Sequence, residues 1–172
     1  MAKEGQSSPS DATSSDPSIL LFGLNSTRVD FREEYPSPLH AFLLWQVFLQ
    51  NVNPLSKIIH VPSVQDHIVD AASNYDTIPI PTLALLFSIY AAAVMSLDDQ
   101  ECQKKVRESK NCLLHRYLSA TQRALVATSF MHSKNLIILQ ALAIFSVSHI
   151  WIGIGQSYEK LLISLARSET SL

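Results

Sequence analysis

The sequence predicts an all-α domain. Two observations point there. Apolar residues recur at helical spacing in several segments, and neither an extended alternating strand pattern nor a strand–helix–strand rhythm appears anywhere in the 172 residues. No internal repeat is present.

Residues 1–18, MAKEGQSSPSDATSSDPS, are dominated by Ser, Pro and Asp, and Met1 is their only large apolar side chain. Such a stretch cannot bury enough surface to offset its ordering entropy, so it reads as a disordered tail. It has no apolar core for a signal peptide, and Lys3 is its only basic residue, too few for a transit peptide. The sequon Asn25-Ser26-Thr27 therefore reads as chance. Leu20-Leu21-Phe22-Gly23 forms a short apolar anchor, and residues 24–35, polar and mixed in charge, read as a loop.

Ser37-Pro38 opens the first helix, with Ser as N-cap and Pro where no hydrogen bond is lost. Phe42, Trp45, Phe48, Leu49 and Val52 follow at helical spacing. Ala41, Leu44 and Val47 fill the other side, so most faces are expected to be buried. Asn53-Pro54 is expected to end this helix. Residues 55–61 fit either a short strand or a linker. Pro62 precedes Ser63-Val64-Gln65-Asp66, which has the form of a capping box, and Val64, Ile68 and Ala71 make the next apolar stripe. Ser73 to Asp76 closes that helix as a turn.

Pro79 and Pro81 set up a helix from Leu83 to about Leu97, rich in good helix formers. Ser96-Leu97-Asp98-Asp99 reads as a further N-cap, with a polar turn or short helix through Lys105. Residues 106–128 carry the clearest amphipathic pattern. Val106, Leu113, Tyr117, Ala120, Ala124 and Leu125 share one face, and Lys110, Arg116 and Arg123 lie elsewhere. Ser133 is expected to cap an apolar segment from Leu136, and 159–172 to form a short final helix. The expected organisation is a tail at 1–18, a helical domain at 19–150 and a divergent segment at 151–172.

Composition removes several functional classes. There are 13 basic and 15 acidic side chains, a net charge of −2, which argues against a stand-alone nucleic-acid module or a polybasic membrane binder. Two cysteines exclude a disulfide scaffold and a multi-cysteine zinc module. Only 16% of residues are charged and the mean hydropathy is +0.15. A helical domain with much buried surface or a protein with membrane spans would both fit. A two-span hairpin would use 82–97 and 136–155. The first of these is short, since sixteen residues rise ~24 Å against a hydrocarbon core of ~30 Å.

No catalytic constellation is visible, so no catalytic, metal or cofactor residue is expected, and ligand-binding residues stay unassigned. None of His40, His60, His67, His115, His132 and His149 is spaced three or four from another, so no helix presents a paired ligand face. Cys102 and Cys112 would lie ~15 Å apart on one helix, too far for a disulfide, and read as buried free thiols. Gly153-Ile154-Gly155 lacks the third glycine and preceding strand of a dinucleotide loop. Ser157-Tyr158-Glu159-Lys160 matches S-x-x-K without its companion motifs. Glu33-Glu34 and Asp98-Asp99 read as solvated acids. Lys104, Lys105, Arg107 and Lys110, interleaved with Glu101 and Glu108, read as a solvated helix face.

One stretch is distinctive: Leu44-Trp45-Gln46-Val47-Phe48-Leu49-Gln50-Asn51-Val52-Asn53-Pro54-Leu55-Ser56-Lys57-Ile58-Ile59-His60-Val61-Pro62. It resembles the opening of the fungal transcription-factor regulatory domain, the middle homology region of zinc binuclear cluster regulators. Leu85 to Ala93, Arg116-Tyr117 through Leu125, Leu136 through Phe145 and the lead-in Leu20 to Gly23 are similar in order and spacing. The resemblance covers about residues 20–147. It implies an all-helical domain, a nuclear setting, and control of transcription through protein contacts or an effector rather than catalysis. In that family DNA is read by a six-cysteine cluster holding two zinc ions, and two cysteines cannot form one. The family's usual Leu-Gly-Leu-His type segment is not found after Ile150. A partial domain is therefore expected, with Leu142, Phe145 and Trp151 on an uncovered apolar face that favours self-association. A two-span membrane protein and a small all-α enzyme or ligand-binding bundle are the alternatives.

Overall fold

The computed structural model describes residues 30–132 and 134–169, with side chains placed through residue 153 except at 132. The tail 1–18, the anchor at 20–23, the sequon at 25–27 and Ser133 lie outside the described residues, as do the side chains of His132, Gly155 and Ser157 to Lys160. Among the described residues the architecture is all-α, as expected, with six helices and no strand. They are α1 (Pro38–Val47), α2 (Val61–Ser73), α3 (Ile80–Met95), α4 (Asp99–Lys105), α5 (Lys110–Ala127) and α6 (Leu136–Glu169).

The organising element is α3. Every side chain from Thr82 to Val94 is buried. A helix that is apolar all round is stable only when surrounded. Here α5 and α6 pack along it most extensively, and α1 covers a third side. The two-span alternative is not favoured for this reason. Ile80–Met95 is sixteen residues long and forms the core of the domain, so a membrane hairpin would have to pull it out. Leu136–Gly153 is the one described segment long and apolar enough to cross a membrane. α3 begins three residues earlier than the sequence suggests, because Pro81 sits in the first turn, where a missing N–H costs nothing.

α1 opens as expected, with Ser37 Oγ accepting from the His40 N–H. It does not stop at Asn53-Pro54. A π turn at Phe48–Val52 carries the helix into one more α turn, Asn53–Ser56. Pro54 would clash with the carbonyl of residue 50 in a regular helix. The wider turn, closed by the Asn53 N–H on the Phe48 carbonyl, relieves that clash. Lys57 then ends the run with a φ of 42°, and 58–60 form a non-helical link, so the strand option is overturned. Ala41, Leu44, Trp45, Val47 and Phe48 are buried, and Trp45 stacks on Phe48 with ring centroids 5.9 Å apart. Phe42 points outward, contrary to the expected stripe.

α2 buries Val64, Ile68 and Ala71 as expected. Its N-cap is His60, not Ser63, because Pro62 fits the first turn. Ser63 Oγ instead lies 2.9 Å from His60 Nδ1. Ser96 likewise ends α3 rather than opening α4. Asp98 caps α4 in a full capping box, accepting from the Glu101 N–H at 2.7 Å while Glu101 accepts from the Asp98 N–H at 3.1 Å. Asp98→Ala is expected to lower stability by about 1 kcal/mol. Urea unfolding with an unchanged midpoint would show that α4 contributes nothing to cooperativity.

α5 starts at Lys110, capped by Ser109, and not at 106. Leu113, Tyr117, Ala120, Ala124 and Leu125 face the core as the pattern requires, and Val106 is buried from the preceding turn. Among the described residues, three helix-terminal turns place a non-glycine residue at positive φ: Lys57, Arg107 and Ser129. A non-glycine residue held there costs about 1–2 kcal/mol. α6 is a single 34-residue helix running through Gly153 and Gly155, so the separate final helix is not seen. Asn135 Oδ1 accepts from the Ile137 N–H at its start.

The segment before α1 is more than a polar loop. Phe31 is buried, with its ring 5.6 Å from Phe87 and the Arg123 guanidinium 5.1 Å from its centroid. Glu34 pairs with Arg123, and Arg32 with Asp76. Tyr35 adds its ring to those of Tyr75, Phe87 and Tyr90, and its hydroxyl lies 3.3 Å from that of Tyr90.

Candidate functional site

The polar residues that attract attention in the sequence do not assemble. His60, His115 and His149 are exposed, and His40 and His67 half-buried, on different elements. Among the described residues no group of three or more His, Cys, Asp or Glu could hold a metal ion. Cys102 is buried in α4, and burial pushes its thiol up. Cys112 is exposed on α5, contrary to the expectation that both are buried. Glu34 meets Arg123 rather than solvent. In the basic group Lys105 lies 3.6 Å from Glu101, and Lys110 Nζ donates to the Leu97 carbonyl at 2.5 Å. Arg116 donates two hydrogen bonds to Glu108, at 3.1 and 2.6 Å, which raises its affinity for the proton.

What the fold does assemble is apolar surface, in two places. The first is the outer face of α6. Leu136, Leu139, Val147, Ile150 and Trp151 are all exposed, Ile150 and Trp151 by about 60%. Only part of the expected uncovered face survives. Trp151 is open, Leu142 is half-buried, and Phe145 is covered, its ring 4.4 Å from that of His149. The opposite face of α6 is buried through Ile138, Ala141, Ile144 and Ser148, where small residues allow close approach to α3.

The second place is a groove of about 530 Å³ bounded on three sides. The π turn supplies Val52 and the α turn after it Leu55, the end of α3 supplies Ala92 and Met95, and α6 supplies Ile144, Val147 and Trp151. Two hydrogen bonds hold these walls together. Asn51 Nδ2 donates to Ser96 Oγ at 3.0 Å, joining the π turn to the end of α3. Gln140 Nε2 donates to the Ile58 carbonyl at 3.0 Å, joining α6 to the link before α2. The groove exists because α1 continues past Pro54. Leu55 and Ser56, which lie past Asn53, complete the third wall. Periodicity alone could not reveal it, since the π turn shifts the register by a residue and the lining comes from three elements.

No family model and no solved structure matches the chain. Curated fungal proteins do. The aurofusarin cluster transcription factor of Gibberella zeae is 42% identical over 142 residues, which is 81% of this chain and 21% of that protein. The transcriptional regulator AacuB of Aspergillus aculeatus is 43% identical over 130 residues, 75% of this chain and 18% of that protein. The pyriculol/pyriculariol biosynthesis cluster transcription factor 1 of Pyricularia oryzae is 41% identical over 131 residues, again 75% and 18%. The chain therefore spans about a fifth of the length of these relatives, which are named as transcription regulators and not as enzymes.

Proposed function

We propose that this chain is a regulatory domain of the middle homology type from a fungal transcription regulator of the zinc binuclear cluster family. It would work in the nucleus, through contacts with other regulators or with itself, and without catalysis. DNA would be reached only through a zinc-cluster module, which two cysteines cannot supply. The observation that carries the reading is identity of 41–43% with fungal transcription regulators over three quarters or more of the chain. The helical architecture and the exposed apolar face of α6 support it. A contiguous apolar patch on a folded surface marks a place where another protein surface fits. On this reading residues 19–150 form the regulatory unit and 151–172 its divergent continuation.

A domain exchange tests the proposal. The matched 142-residue segment of the Gibberella zeae relative is replaced by the corresponding part of this chain, and transcription of that protein's gene cluster is measured. The expected result is retained transcription, lost when Leu139 and Ile150 are both changed to Glu. An exchanged protein that accumulates in the nucleus yet drives no transcription would overturn the reading.

A further inference from the structure

We propose that the groove between the turn after the π turn, the end of α3 and the middle of α6 binds a neutral, apolar small molecule. Its volume of about 530 Å³ falls in the range of small-molecule sites, ~300–1,000 Å³. No residue lining it is ionisable, so nothing there would offset the desolvation of a charged ligand. Each of its polar side chains already makes a hydrogen bond within the protein. Asn51 donates to Ser96 Oγ, Ser96 to the Ala93 carbonyl, Ser56 to Val52 and Ser148 to Ile144. The three serines each donate to a backbone carbonyl, so their hydroxyl protons are already used. The unbranched thioether of Met95 in the wall can adjust to different shapes.

The lining is short along the helix. Ile144, Val147, Ser148 and Trp151 lie within two turns of α6, a length of ~10 Å that suits a compact ligand. Two hydrogen bonds tie the walls to one another, Asn51 to Ser96 and Gln140 to the Ile58 carbonyl.

The test uses the 172-residue chain and N-phenyl-1-naphthylamine, an uncharged aromatic probe whose emission rises when it leaves water. The expected result is saturable binding of one probe per chain. Val147→Glu and Met95→Glu each place a carboxylate at the groove wall and should weaken binding at least about tenfold. Leu139→Glu, on α6 outside the groove, should leave binding unchanged. Val147 is 41% exposed and Met95 half-buried, so neither variant buries a charge in the core. Absence of saturable binding, equal affinity in both groove variants, or equal weakening by Leu139→Glu would overturn the proposal. So would a dimer in sedimentation that Val147→Glu dissociates, since the groove would then hold a second copy.

Discussion

Phe87→Ala is expected to remove about 3–5 kcal/mol of stability, a large part of the ~5–15 kcal/mol that holds a domain of this size. Phe87 is fully buried on α3, and three rings from two other segments meet on its own. Phe31 and Tyr35 approach from the segment before α1, at centroid distances of 5.6 and 6.0 Å, and Tyr117 from α5 at 6.4 Å. Truncation leaves a cavity walled by rings on separate elements, which cannot all collapse into it without shifting helix axes. The loss should therefore lie in the upper part of the range for large-to-small changes. Phe42→Ala is the control. Phe42 is 38% exposed, and its removal should cost much less. Guanidinium unfolding measures both. A Phe87→Ala midpoint within error of the native one would mean that α3 is not the centre of the fold.

Phe87 also shows which parts of this fold the sequence made legible. Its helix declares itself, because sixteen consecutive residues without a charge cannot be a surface helix of a soluble bundle. The stripe on α5 is equally plain. Phe31 was hidden, as a single aromatic in a polar stretch has no period to betray it. Only its position beside Arg123 and Phe87 explains why Glu33-Glu34 is not a pair of solvated acids. Helix ends were hidden where two signals competed. Ser96 and Asp98 are both good caps, and the structure uses one to close α3 and the other to open α4. The separate final helix expected at 159–172 is absorbed into α6, since a glycine costs a helix only ~1 kcal/mol against alanine and the long helix runs through Gly153 and Gly155.

The groove was the least legible feature, and its origin is local. Pro54 is a helix terminator by rule, and here it is carried through by a π turn. That single departure adds Leu55 to a lining that also holds Trp151 and makes a concave site from apolar residue types ordinarily found in cores. The exposed face of α6 was partly legible. Its apolar content is visible in the sequence, but only the packing of α3 decides that Phe145 turns inward while Ile150 and Trp151 do not.

Stability should fall steeply above pH 10, because the aromatic cluster holds phenol protons that the unfolded chain releases. Burial pushes Tyr117 up to about 12, even though Arg116 beside it acts in the opposite sense. Burial also raises Tyr90 well above its ordinary value of 10.0, and raises Tyr35, whose hydroxyl shares a hydrogen bond with it. Below pH 10 these phenols are protonated in both states, and stability does not depend on them. Between pH 10 and about 12 the unfolded chain loses protons that the folded chain keeps, so unfolding becomes easier as pH rises. For Tyr117 alone this amounts to about 2–3 kcal/mol by pH 12. Tyr35 and Tyr90 titrate as a pair and add to it in the same direction. Urea midpoints measured from pH 8 to 11.5 should decline slightly from about pH 9, where the unfolded Cys102 thiol ionises and the folded one does not, and then drop more steeply above pH 10, with phenolate absorbance rising in step with unfolding. Tyr117→Phe cannot release a proton in either state, so its profile should fall less steeply over the same window. A native chain whose tyrosines all ionise near pH 10 while it stays folded would show that the cluster is open to water and that α3 and α5 do not close over it.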